Sequence, residues 1–195
     1  MTDGPLPQLL VLTDRHQLPD GAGLTSTLAR CADAGLSHVV LRELDLDREQ
    51  RTRQVAELTA LGLTVVTAHG ALGGAWGAHL ASGQDSSAAR GRPFGQSCHD
   101  LAEVASAAGR GARWVTLSPF EVTASKPGYG PPLPRQAYAG HGLPVYALGG
   151  ITPDNASSAL AAGAHGVAVM GEVMRAADPG VVVTALLDAL GVASA

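Results

Sequence analysis

Three histidines, one lysine and two glycine-rich segments hold most of the chemistry that this 195-residue sequence can offer. His69, His79 and His99 each lie within or just after a short apolar run. An unperturbed imidazole titrates near pH 6.5, so a histidine at the edge of a site can act as a general base at neutral pH. His16, His38, His141 and His165 fall at helix entries, turns or loop ends and are expected to face solvent. No pair has the H-x-x-x-H spacing of a zinc-binding helix. Lys126 is the sole lysine beside twelve arginines. With Thr123 and Ser125 it forms a cluster of donors suited to a phosphate or carboxylate, inside the long Gly/Pro-rich loop SPFEVTASKPGYGPP. The segments ALGGITPDN (Ala147 to Asn155) and GVAVMGEV (Gly166 to Val173) place glycine between an apolar run and a turn. There an anion can approach backbone N–H groups that side chains would otherwise shield, although tight turns need the same glycines.

These residues need a scaffold, and the periodicity supplies one. Short apolar runs recur at Gln8 to Thr13, His38 to Leu41, Thr64 to Thr67, Ala78 to Ala81, Phe94 to Ser97, Trp114 to Leu117, Pro144 to Leu148 and Gly166 to Met170. Between most of them lie amphipathic helical stretches, among them Gly23 to Ala34, about Leu46 to Leu61 with Asp45 as its cap, Asp100 to Gly109, Asp154 to Ala162 and Pro179 to Leu190. Strands that are apolar on both faces belong in a parallel sheet covered by helices. Eight such repeats predict an α/β chain forming a small (β/α)8 TIM barrel over residues 1–195, a single domain, in preference to an open flavodoxin-like sheet. Only one turn fits between Val66 and His79, so the third helix is expected to be shortened or missing.

In such a barrel the site is built from residues just after the strands. That rule selects Asp14 and Arg15, then Arg42 and Glu43, then Ala68 and His69, then Gln84 and Asp85. Ser97, Cys98 and His99 follow the fifth run, Gly149 and Gly150 the seventh, Gly171 and Glu172 the eighth.

Composition narrows the partners. A formal charge of −4, with 15% charged residues, argues against a nucleic-acid surface. No apolar run reaches the roughly 18 residues of a membrane span, and the N-terminal segment MTDGPLPQ lacks a signal core, so a cytoplasmic protein is expected. Cys31 and Cys98 are expected as reduced thiols. A homodimer is a reasonable expectation for a barrel of this size.

Six segments then carry a resemblance in order: VVLRELDLDREQ, AHLASGQD, FGQSCHD, TLSPFEVTASKPG, ALGGITPDN and GVAVMGEV. Together they resemble the thiamine phosphate synthase and TenI family over nearly the whole chain. The resemblance implies a barrel that binds a small thiazole phosphate, held through Gly149, Gly150, Met170 and Gly171. Synthases of the family join a pyrimidine methyl diphosphate to the thiazole phosphate with magnesium, and several of their residues are missing here. Of their Q-x-R-x-K element only Arg42 remains, flanked by Val40 and Leu44. Their Asn-Asp pair is replaced by Ala68 and His69, and Asp85, the one carboxylate that could still serve a metal in a synthase, is displaced by an inserted residue. Ser97 and the Thr123, Ser125 and Lys126 element are kept. The pattern is closer to the TenI branch, which implies a thiazole tautomerase with His99, in a Ser-x-His motif, as base. Arg42 and Lys126 would then hold carboxylate or phosphate, and no cofactor is expected. A synthase, or a protein that binds thiazole or thiamine phosphates as a regulator, is the alternative.

Overall fold

The computed structural model describes residues 5–122 and 130–192. Eight parallel strands close on one another in sequence order: β1 (Leu9–Leu12), β2 (His38–Leu41), β3 (Thr64–Ala68), β4 (Gly77–Leu80), β5 (Phe94–Cys98), β6 (Trp114–Leu117), β7 (Val145–Leu148) and β8 (Gly166–Val169), with β8 returning to β1. The helices α1 (Leu24–Asp33), α2 (Arg48–Ala60), α3 (Leu101–Gly109), α4 (Pro153–Ala161), a single turn α5 (Gly171–Met174) and α6 (Pro179–Ala189) lie outside. Strand pairing and expected order agree, and no helix joins β3 to β4. Two further links carry only short helical turns, as the sequence leads one to expect from a short helix at Ser86 to Arg90 and another near Pro134 to Ala139. The β4–β5 link is the 3-10 turn Ser86–Ala89, and the described part of the β6–β7 link holds only the 3-10 turn Arg135–Tyr138.

Helix boundaries follow local chemistry. Asp47, rather than Asp45, caps α2: its carboxylate accepts from the Gln50 amide at 2.7 Å while the Gln50 side chain accepts from the Asp47 amide at 3.0 Å. Asp45 instead pairs with Arg15 and His16. Asp100 caps α3 through the Glu103 amide at 2.7 Å, and Pro179 opens α6 behind Asp178.

Alternation along the strands creates two cores. One lies between strands and helices, with Leu28, Leu41, Leu58, Val104, Leu117 and Leu186 buried in it. The other fills the barrel with Leu10, Leu12, Val40, Val66, Ala68, Trp114, Tyr146 and Ala168. Gly95 makes that interior possible, because a Cβ there would stand 2.1 Å from the Trp114 ring. The freed space lets Trp114 stack between Trp76 (5.7 Å, 24°) and His79 (6.3 Å, 17°). His38 meets the edge of Trp76, and His165 meets Tyr146 and accepts no solvent-only role, being half-buried beside Leu6. Of the four histidines expected in solvent, only His16 is fully exposed, because the strand entries bring His38 and His165 against aromatic rings.

Candidate active site at the barrel mouth

The alternation that buries Val40, Ala68, Gly95 and Trp114 also points the residues two positions later toward the mouth. Arg42 follows Val40, Ser97 and His99 follow Gly95, and Thr116 and Ser118 follow Trp114. His79 lies one layer down and is 4% exposed. Its Nε2 is 3.1 Å from Ser97 Oγ and 3.1 Å from Thr116 Oγ1, and its Nδ1 has no partner among the described residues. Burial first, then the positive charges of His69 and Arg42, pull the His79 pKa down to about 4, so the ring is neutral at pH 7.

His99 stands at the lip, solvent-exposed, with Nδ1 3.1 Å from the hydroxyl of buried Ser118. Its amide donates to Glu103 Oε2 at 2.6 Å, which ties it to the start of α3. Two anchors thus set the backbone and ring of the one mouth histidine that has the Ser-x-His spacing. Cys98, between the two, faces the outer core, where burial pushes its thiol up to about 12 and leaves it a poor nucleophile.

Across the mouth, Gly149 (φ +95°) and Gly150 (φ +67°) are left-handed. A Cβ on Gly150 would lie 2.6 Å from the Val122 carbonyl oxygen, so close approach and φ both demand glycine. Phe120 and Glu121 donate to the carbonyls of Leu148 and Gly149 at 2.9 and 3.0 Å, laying the start of the β6 loop over this turn. Asn155 Nδ2 holds the Gly150 carbonyl at 2.8 Å while its Oδ1 accepts from Thr152, which fixes α4 behind the turn. The amides of Gly149, Gly150 and Gly171 donate to no acceptor among the described residues. The two glycine segments therefore present unsatisfied donors at the ends of neighbouring strands, as an oxyanion requires.

The β2–β4 side is cationic. Arg42 Nη1 reaches Met170 Sδ at 2.7 Å, a weak acceptor, and meets no carboxylate among the described residues. Arg51, half-buried on α2, donates through Nη2 to the Ala68 carbonyl at 2.7 Å, while its Nε is buried without a partner among the described residues. His69 sits in a left-handed turn (φ +62°), its amide on the His79 carbonyl and its own carbonyl held by Gln84 Nε2 at 2.7 Å. Desolvation and the charges of Arg42 and Arg51 lower its pKa.

Three of the acids selected from the sequence, Asp14, Glu43 and Asp85, are engaged elsewhere. Glu43 is 3% exposed and accepts from the Arg15 amide and guanidinium, and Asp45 takes the rest of that guanidinium. Asp14 caps the following 3-10 turn. Asp85 is exposed, accepts from the Ser87 amide at 2.8 Å and feels Arg110 on the outer side. No three His, Cys, Asp or Glu side chains converge as a metal site among the described residues. Thr123, Ser125 and Lys126 lie outside the described residues. Arg51 was not selected by the strand-end rule. Its signal was its helical phase, since Arg51, Val55 and Leu58 share the i, i+4, i+7 face and the latter two are buried.

Comparison with known proteins follows the same outline. The profile of a family described as thiamine monophosphate synthase matches residues 9–173. A putative thiamine-phosphate synthase of Geobacter sulfurreducens is 34% identical over 194 residues, 88% of each chain. A thiamine-phosphate synthase of Prochlorococcus marinus is 31% identical, covering 93% of this chain and 56% of its own, and one of Methanoculleus marisnigri is 38% identical over 106 residues, half of each. Among solved structures, a thiamine phosphate pyrophosphorylase from Pyrococcus furiosus superposes with a TM-score of 0.80 at 22% identity, over 94% of this chain and 95% of the other. A geranylgeranylglyceryl phosphate synthase from Thermoplasma acidophilum shares the fold at a TM-score of 0.70 and 14% identity.

Proposed function

The chain belongs to the thiamine monophosphate synthase family, and on that premise we propose that it binds a thiazole phosphate and isomerises it by a proton shift, as a TenI-like tautomerase. The observation that carries this reading is the pairing of His99 with Ser118 at the lip of a mouth where Asp14, Glu43 and Asp85 are engaged by neighbouring groups. Moving a proton between two carbons of a bound anion needs one base and fixed positive charge, and consumes nothing. His99 takes the proton from one carbon of the dihydrothiazole, the electron pair shifts through the conjugated ring, and the resulting imidazolium returns the proton to another carbon. The amides of Gly149, Gly150 and Gly171, beside Met170, hold the phosphate. Arg42 holds the carboxylate, and Lys126 with Thr123 and Ser125 completes the loop side. Ser97, backed by neutral His79, gives a hydroxyl at the floor. No cofactor is required.

The names of the relatives favour a second reading, a transferase that joins pyrimidine methyl diphosphate to thiazole phosphate. A paired assay separates the two. Purified protein is given the dihydrothiazole carboxylate phosphate and followed by absorbance, then given thiazole phosphate, pyrimidine methyl diphosphate and magnesium and assayed for thiamine phosphate. Turnover in the first arm, lost in His99→Ala, supports the tautomerase. Turnover in the second arm alone replaces it with the synthase, and turnover in neither leaves a binding protein.

A further inference from the structure

Resting on the reading of His99 as base, we propose that Glu103, tethered in turn to Ser82 in the loop after β4, is the positioning residue that fixes His99 at the lip.

The chain around His99 needs an anchor. β5 ends at Cys98 and α3 begins at Leu101 behind its cap Asp100, so His99 stands in the joint between the two elements, exposed. A base outside both strand and helix keeps its aim only if its backbone is held. Glu103 is the third residue of α3, the position from which the side chain of a capping box reaches back to the amide of the cap itself. Here it reaches one residue further. Its Oε2 accepts from the His99 amide at 2.6 Å, and its Oε1 accepts from the Ser82 hydroxyl. Asp100 accepts from the Glu103 amide at 2.7 Å, so Glu103 holds both residues that precede the helix.

The bond to Ser82 serves more than the cap of α3. Ser82 lies just past β4, in a segment that is itself braced. Gln84 Oε1 accepts from the Ala81 amide at 3.0 Å, and Gln96 Nε2 donates to the Ala81 and Gln84 carbonyls at 2.9 and 3.1 Å. Gln96 is buried on β5, so this frame is rooted in the barrel. Capping α3 requires no bond to another loop, whereas aiming a side chain at the lip does. A carboxylate suits the task, because its two oxygens take an amide and a hydroxyl at once in charge-assisted bonds. His99 is then held from both strands that flank β5: its ring by Ser118 after β6, its backbone through Glu103 by Ser82 after β4.

The test compares Glu103→Ala, Glu103→Gln and Ser82→Ala with the wild type in steady-state tautomerase kinetics and in hydrogen exchange of the His99 amide followed by NMR. Glu103→Ala should lower kcat at least about tenfold with KM within about twofold, since the glycines across the mouth hold the phosphate, and should speed His99 amide exchange at least about tenfold while the β5 amides stay protected. Glu103→Gln keeps a carbonyl for the His99 amide and should bring kcat back to within about threefold of the wild type. Ser82→Ala, which lets the carboxylate turn, should lower kcat about two- to fivefold. A kcat in Glu103→Ala within about twofold of the wild type, a loss in KM in place of kcat, or no recovery in Glu103→Gln overturns the proposal. A residue that only caps α3 would lower the melting temperature and leave kcat per folded molecule as it was. Should Glu103→Ala fail to fold, Ser82→Ala decides: a fall in kcat with faster His99 exchange supports the tether, and no change in either overturns it. Absence of turnover in the wild type overturns the assignment of His99 as base, and exchange of the His99 amide in Glu103→Ala then decides the tether by itself, faster supporting it and unchanged overturning it.

Discussion

The two sides of the barrel mouth are built from opposite materials. From β5 to β8 the donors are small and neutral: the hydroxyls of Ser97, Thr116 and Ser118, and glycine amides left bare by left-handed turns. From β2 to β4 they are large and charged: two guanidinium groups, a histidine at the turn and, just outside, the buried Glu43 pinned by Arg15. Neutral amides cost little to leave facing water and suit a ligand that enters and leaves. A guanidinium whose buried Nε has no partner among the described residues costs more, so the charged side holds a stronger demand for its complement. His79 joins the two sides, facing Ser97 and Thr116 while feeling Arg42 and His69.

That comparison can be broken at four points. His99→Ala should lower tautomerase turnover by about 10²–10⁴-fold, the usual contribution of a general base, with little change in melting temperature because the side chain is exposed. Steady-state kinetics beside a thermal melt checks this, and full turnover would move the chemistry to the charged side.

Next comes the junction. His79 titrates near 6.5 when unfolded and near 4 when folded, so the unfolded chain binds the extra proton between those values. Stability should therefore be complete above pH 6.5, fall as pH drops to about 4 by about 3 kcal/mol, and level off below. His38 and His69, also lowered, act in the same direction. Denaturant titrations across that range should show the slope, and His79→Gln should flatten most of it.

On the neutral side, Gly150→Ala puts a Cβ into left-handed backbone and against the Val122 carbonyl. The expected loss is about 2 to 3 kcal/mol, read by chemical denaturation, with weaker phosphate binding. The smallest effect is a control away from both sides: Arg53→Ala removes an exposed i, i+4 pair with Glu49 and should change stability by under about 0.5 kcal/mol.

Much of this was legible in the chain. The eight apolar runs and the missing third helix follow from local hydrophobic pattern, and His99, Ser97 and the glycines follow from counting past strand ends. Arg51 was not legible by that count, because it comes from a helix whose phase matters only once α2 is docked. Asp45 shows the converse. By sequence it is the expected cap of α2, but the turn after a neighbouring strand brings Arg15 onto it and Asp47 takes the cap.

By itself the sequence determined the order of strands and helices, the places where only glycine fits, and the residue types available at each strand end, since these depend on neighbours a few positions away. Closure of the barrel decided which of those residues share a space. It placed Arg42 on Met170, His79 under Ser97 and Arg51 behind His69, because strand parity and helix phase become positions only when eight strands and their helices settle into one register.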